Sequence, residues 1–130
     1  MKKKYLAKII AKDSQGLQLI SAYCCEAKVK IKELKFLKEN KIFLVFLQRI
    51  DQENKKNTHK ISSVCKFEFV ESVRSKNIDQ NNKDLILELF AIDLIKNKDK
   101  FEINLIFSNN SYIILSTEII EVSLEDQDKI

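Results

Sequence analysis

Apolar and polar residues alternate along much of the chain, and this period of two is typical of half-buried β-strands. The alternation is clearest over residues 61–74, where Cys65, Phe67 and Phe69 share one face. These residues predict a strand with one face in the core and the other in water. Residues 42–50 form a nearly continuous apolar run, which predicts a central strand that is covered on both faces.

Further segments of the same kind lie at 5–11, 29–37, 85–95, 101–107 and 112–117, with 119–124 as a last strand or a short helical turn. A change of face at Leu34 predicts a bulge near Glu33. The apolar spacing within 85–95 also fits a helix, and we interpret it as a strand. Polar residues at 38–41, 51–60 and 77–83 predict turns and loops. Asparagines in the turn at 108–111 favour a hairpin, because Asn tolerates the left-handed backbone of tight turns.

One amphipathic helix is predicted over residues 14–27. Leu17, Ile20 and Cys24 recur at spacings of three and four, and Asp13 or Ser14 can cap the first turn. One helix followed by about six strands predicts an α+β fold joined as an antiparallel meander. We expect the helix to pack on a curved, mainly antiparallel sheet of six to seven strands or a partial barrel, with a PH-like barrel as the alternative. The whole chain, 1–130, is expected to form a single domain.

Composition and charge narrow the class of protein. The 130 residues are 45% hydrophobic and carry a net charge of +4, which favours a folded domain with one core. The 23 basic residues are interleaved with 19 acidic ones, whereas dedicated nucleic-acid binders gather basic residues on one face. No apolar stretch is long enough for a membrane helix, and Lys8 interrupts the segment that could resemble an export signal. Three cysteines, an odd number, favour reduced thiols and a cytoplasmic location.

Catalytic and metal-binding groups do not stand out in the sequence. His59, the single histidine, falls in the polar loop at 51–60. Cys24 and Cys65 fit small core positions with Cys25 near the rim, and no CxxC spacing indicates zinc. The acidic end comprises Glu118, Glu121, Glu125, Asp126 and Asp128, and its default interpretation is a solvated edge. We therefore predict no catalytic residue, no metal and no cofactor.

The arginines Arg49 and Arg74 are exceptions in a chain whose other basic residues are lysines. A guanidinium can form a forked contact with a carboxylate, which an ammonium cannot. Both residues are therefore candidates for binding, and a structural ion pair is the alternative interpretation.

A family resemblance is carried by five segments in order: Leu19-Ile20-Ser21-Ala22, residues 33–37, Gln48-Arg49-Ile50, residues 69–79 and residues 119–126. Together they resemble a family of small alphaproteobacterial proteins known only as a domain of unknown function. Its members usually carry Asn-Arg-Phe at Gln48-Arg49-Ile50, Trp-Glu near Gln52-Glu53, and glycine at 77 and in the turn at 109–111. Arg49, Arg74 and Asp79 match the family. The resemblance implies a cytosolic single-domain protein without an assigned activity, and we include Asp79 among the candidate binding residues.

Three functional hypotheses follow. The first is a non-catalytic module that uses a sheet edge, or a rim around Arg49, Arg74 and Asp79, to bind a protein partner or a second copy. The second is weak nucleic-acid binding through Lys2, Lys3, Lys4 and the lysines of residues 55–60. Base stacking on aromatics is disfavoured, since Phe67 and Phe69 are predicted to face the core. The third is a small enzyme that requires a deep pocket with a carboxylate of raised pKa. No membrane partner is expected.

Overall fold

The structure is a computed structural model and describes residues 6–50 and 60–127. Its elements are β1 (Lys8–Ala11), α1 (Ser14–Cys24), β2 (Ala27–Lys30), β3 (Lys35–Leu37), β4 (Ile42–Ile50), β5 (Lys60–Phe67), β6 (Val70–Lys76), β7 (Ile86–Asn97), β8 (Lys100–Phe107), β9 (Ser111–Thr117) and β10 (Val122–Asp126). Single-turn 3₁₀ helices at Ile31–Glu33 and Lys38–Asn40 flank β3. One helix and a ten-stranded sheet in the described ranges confirm the α+β fold, but the predicted count of six to seven strands is wrong.

All strand pairs are antiparallel, and the sheet has the order β1-β10-β5-β4-β2-β7-β8-β9-β6. β3 also pairs with β4, on a different stretch of that strand from β2. Within residues 6–50 and 60–127 the sheet is not closed into a barrel. A simple meander is wrong as well, since β2 pairs with β7 and β10 lies between β1 and β5. β4 is an interior strand, as predicted, with β5 on one side and β2 and β3 on the other.

The predicted strand at 61–74 is divided into β5 and β6 by a corner. Phe69 has a left-handed backbone with φ of 59°, and its side chain is 43% exposed instead of facing the core. Val70 is buried in its place. The N–H of Val70 donates to the carbonyl of Lys41 at 2.8 Å, so β6 starts beside the beginning of β4 and then leaves to pair with β9.

The helix α1 begins where the sequence predicts and ends three residues earlier. The Asp13 carboxylate caps it by accepting the N–H of Gly16 at 2.7 Å. Glu26 has a left-handed φ of 67°, and its N–H donates to the carbonyl of Leu89 at 2.7 Å. β2 therefore begins at Ala27, the residue at which the helix was predicted to end. The buried face of α1 contacts β1, β4, β7 and β10.

The second half of the chain follows the predicted hairpins closely. The segment at 85–95 is a strand, β7, and not a helix. β8 and β9 are joined by a turn in which Asn109 and Asn110 have φ of 62° and 54°. These values are the left-handed conformations for which Asn is favoured in hairpin turns.

The core lies between α1 and the inner face of the sheet. Cys24 and Cys65 are buried within it and Cys25 is exposed, as predicted. The rings of Phe43 and Phe67 pack with their centroids 6.4 Å apart. In the ranges that the structure describes, no helix has the length and apolar character needed to cross a bilayer.

Candidate functional site

A groove of about 410 Å³ opens between β3 and β6. Its walls come from β3, β4, β6 and β9, from the 3₁₀ helix before β3, and from the loop between β6 and β7. The lining residues are Ile31, Lys32, Leu34, Phe36, Phe43, Val73, Ser75, Ile78, Gln80, Asn82, Lys83 and Ile113. Its size falls within the range of roughly 300–1,000 Å³ that is usual for ligand sites.

Backbone hydrogen bonds define the two ends of this groove. At one end, the N–H of Val70 donates to the carbonyl of Lys41, and Lys41 Nζ lies 3.3 Å from Glu71 Oε1. At the other end, the N–H of Ile31 donates to the carbonyl of Leu85 at 3.0 Å. Between these ends β3 pairs only with β4, and β6 only with β9, among the described strands. Both strands therefore retain an edge without a strand partner.

The floor of the groove is part of the hydrophobic core. Phe43 and Ile113 are 3% and 2% exposed, and both belong to the buried cluster. The ring of Phe36 packs against Phe43 with centroids 6.5 Å apart. Half-buried Val73 and Ile78 extend this surface along the wall. A side chain that entered the groove would meet apolar surface that is continuous with the core.

The polar groups of the groove are neutral or positive. Gln80 Nε2 donates to Ser75 Oγ at 3.0 Å, and Asn82 Oδ1 accepts the N–H of Asp84 at 3.2 Å. Lys32 and Lys83 complete the polar rim, and no Asp, Glu, His or Cys is among the lining residues. The lining therefore offers apolar surface, amide groups and two ammonium groups as contacts for binding.

Arg49 lies on the buried face of β4 and does not line the groove. Its Nε donates to Asp126 Oδ1 at 2.8 Å and its Nη2 to Asp126 Oδ2 at 2.6 Å, a forked pair whose side chains are 6% and 0% exposed. Asp126 also accepts Ser63 Oγ at 2.6 Å and the N–H of Ala7 at 2.8 Å. The guanidinium carbon lies 5.3 Å from the ring centroid of Tyr23. This cluster connects α1, β4, β5, β10 and the residue before β1.

The contacts of Asp126 determine the direction in which its pKa is shifted. Burial raises the pKa of Asp126, but hydrogen bonds from Arg49, Ser63 and the backbone of Ala7 outweigh burial and hold the pKa below its ordinary value. The carboxylate is thus ionised at neutral pH. The prediction of a solvated acidic end is wrong for Asp126, because β10 continues the period of two as far as this residue and turns it into the core.

The other two candidate residues lie elsewhere. Arg74 projects from β6 on the face opposite Val73, and its Nη2 donates to Glu102 Oε2 at 2.5 Å with the arginine side chain 60% exposed. Asp79 lies in the loop that borders the groove, where its Oδ1 accepts the N–H of Asn81 at 3.0 Å. Arg49, Arg74 and Asp79 therefore form separate contacts, and of the three only Asp79 belongs to a segment that lines the groove.

Comparison with known proteins connects this architecture to a family. A family model described as a protein of unknown function (DUF2948) matches residues 7–130. The chain belongs to the DUF2948 family. This confirms the resemblance noted in the sequence, and the match includes every strand from β1 to β10. Comparisons with curated proteins and with solved structures found no match.

The other chemical hypotheses gain no site in the described part of the DUF2948 chain. Burial and then a hydrogen bond with Glu121 raise the pKa of Glu68, but neither residue lines the groove. A second, open hollow of about 390 Å³ beside the β7–β8 turn has only polar lining residues. No group of three potential metal ligands occurs in the ranges 6–50 and 60–127. His59, the lysines at 2–4 and those at 55–56 lie outside the described residues.

The groove of this DUF2948 chain was not predicted from the sequence. A local signal existed at Ile78, a lone aliphatic residue within the polar segment 77–83. Ile78 packs against the core and forms part of the groove wall. For Asp126, the signal was its spacing of two from Leu124, which places both on the buried face of β10.

Proposed function

We propose that the chain is a non-catalytic protein-interaction module whose groove receives an extended segment of a partner protein. The observation that supports this proposal is the position of the groove. It gives access to core side chains between two strands, β3 and β6, that each have one strand partner among the described residues.

The unpaired edges supply main-chain binding. A strand edge presents N–H and C=O groups that an added strand can satisfy, and main-chain hydrogen bonds give affinity in such complexes. β6 has seven residues, and Val70 at its start already forms a bond across to Lys41. The remaining residues of β6 pair only with β9 among the described strands, and Val73 and Ser75 line the groove.

The apolar lining supplies specificity. Alternate side chains of an extended segment point to the same side and can fill a groove of this kind. Phe36, Val73 and Ile78 are half-buried and gain burial when the groove is filled. Each square ångström of apolar surface removed from water contributes about 25 cal/mol.

A peptide library tests this proposal. Short linear peptides are selected against the full chain, and their dissociation constants are measured by fluorescence anisotropy. Ile78→Ser should weaken binding by about tenfold or more, because it removes an apolar wall of the groove. Ile95→Ser is the matched control, since Ile95 is 44% exposed on β7 and lies outside the groove. Circular dichroism checks that both variants stay folded.

The proposal fails if no peptide is selected, or if the selected peptides bind the Ile78→Ser and Ile95→Ser variants equally well. Light scattering gives a further outcome. A dimer that Ile78→Ser dissociates and Ile95→Ser does not would identify a second copy of the chain as the occupant, and would overturn the assignment to a different partner.

A further inference from the structure

We infer that the groove binds the C-terminal end of a partner protein and that Lys32 and Lys83 hold its terminal carboxylate. This inference rests on the proposed function, because it specifies which part of an extended partner segment occupies the groove.

Both lysines lie at the same end of the groove. Lys32 belongs to the 3₁₀ helix Ile31–Glu33, and Lys83 lies two residues before Leu85. The hydrogen bond of 3.0 Å between the Ile31 N–H and the Leu85 carbonyl joins these two segments. Both side chains line the groove and are exposed, and neither forms an ion pair with another residue in the described ranges.

Negative charge is missing from the lining although the chain is nearly balanced, with 19 acidic and 23 basic residues. Three carboxylates lie near the lysines in sequence. Glu33 Oε1 is 3.9 Å from Lys30 Nζ, Asp79 accepts a backbone N–H within its own loop, and Asp84 lies outside the lining. This end of the groove is therefore positive, which is complementary to a carboxylate.

A neutral donor adds to the two cations. The amide oxygen of Asn82 accepts the N–H of Asp84 at 3.2 Å, which leaves the amide NH₂ group of Asn82 as a donor at the groove. Carboxylate oxygens accept several hydrogen bonds at once. Lys32, Lys83 and Asn82 can thus serve one carboxylate together.

The position of the lysines at one end of the groove suits a chain terminus. The bond between Ile31 and Leu85 joins the two segments that carry Lys32 and Lys83. A partner segment that ends there places its terminal carboxylate beside both lysines and Asn82. β3 runs from the lysine end towards Lys41 and β6 runs the opposite way, so a partner segment that terminates at the lysines is antiparallel to β3 and parallel to β6. Antiparallel pairing is slightly the more stable arrangement per residue.

The experiment compares peptides that differ only at the C-terminus. Peptides selected from a library with free C-termini are synthesised as acids and as C-terminal amides, and both forms are titrated against the full chain. We expect the acid to bind about fivefold more tightly, which is the effect of one well-placed exposed ion pair. The preference should disappear in the K32Q/K83Q double variant.

The control variant K28Q/K96Q removes the same charge from exposed lysines outside the groove and should keep the preference. Equal binding of acid and amide would overturn the inference, and the proposed function would survive if Ile78→Ser still weakened both. Tight binding of decanoate, a fatty acid without a peptide backbone, would also overturn it. If neither peptide form bound, the proposed function itself would fail, and this inference with it.

Discussion

Removal of one partner from the buried Arg49–Asp126 pair is expected to destabilise the sheet strongly. Asp126→Asn keeps the shape of the side chain but removes the negative charge opposite a guanidinium that is 6% exposed. Loss of one partner from a buried pair costs about 3–5 kcal/mol, because the remaining charge stays buried without compensation. The free energy of unfolding of a typical domain is roughly 5–15 kcal/mol. We therefore expect a large fraction of that free energy to be lost.

Hydrogen-bond geometry explains why an amide cannot replace this carboxylate. Oδ1 accepts Arg49 Nε and Ser63 Oγ, and Oδ2 accepts Arg49 Nη2 and the N–H of Ala7. Whichever oxygen becomes an NH₂ group, it faces an arginine N–H that cannot accept a hydrogen bond. The Ser63 hydroxyl can rotate, but the guanidinium cannot adapt. The loss should be about 4 kcal/mol, near the middle of the range for buried pairs.

Urea unfolding followed by circular dichroism measures this loss. The matched control is Glu102→Gln, which breaks the Arg74–Glu102 pair, where the arginine side chain is 60% exposed. An exposed pair contributes about 0–1 kcal/mol. A loss of less than about 1 kcal/mol for Asp126→Asn at an unchanged m-value, or an equal loss for the two variants, would contradict this expectation.

The remaining predictions concern pH, thiols and one turn. Burial raises the pKa of Asp126, but its hydrogen bonds lower the pKa by more, so the net pKa is below the ordinary value. The stability that the Asp126 carboxylate contributes is therefore present above about pH 4 and is lost as pH falls through the lowered pKa. In Asp126→Asn, urea titrations should show a smaller loss of stability at low pH. Cys25 should react with a thiol reagent in the native chain, whereas Cys24 and Cys65 should react only on unfolding; a hydrogen bond with Cys24 and burial raise the pKa of the Cys65 thiol. Fast labelling of all three would contradict the buried assignment. Lys98→Gly should stabilise the chain by about 0.5–1 kcal/mol in thermal melts, because Lys98 has a φ of 58°, and a lower melting temperature would count against that explanation.

The apolar and polar pattern predicted those strands whose ends are marked by polar or turn residues next to them in the sequence. The predicted segment 42–50 has the same bounds as β4, and the hairpin of β8 and β9 follows the alternation on either side of an Asn turn. The break at Phe69 was not predicted, because a bulky aromatic residue at positive φ runs against its backbone preference. The corner arises from tertiary pairing, since Val70 bonds to Lys41 and β6 pairs with β9.

The candidate site could be predicted only in part, for a related reason. Arg49 alternates with the buried apolar residues of β4, so its burial follows from the period of two. That period does not identify Asp126 as its partner, because β5 lies between β4 and β10 and supplies Ser63 to the same cluster. The groove depends on how far the sheet bends, and neither β3 nor β6 carries that information in its own residues.

The Arg49–Asp126 cluster and the groove differ in how the strands around them are held together. At Arg49 and Asp126, strands β4, β5 and β10 are joined by charged groups that are almost completely buried, so this part of the sheet has little freedom to open. Between β3 and β6 the described residues show no strand pairing, and half-buried apolar residues such as Val73 and Ile78 lie beside an unpaired edge. Free energy of binding is gained where apolar surface and main-chain groups are still hydrated, not where they are already paired. For that reason we propose that the groove, and not the buried Arg49–Asp126 cluster, is the part of the sheet that binds a partner.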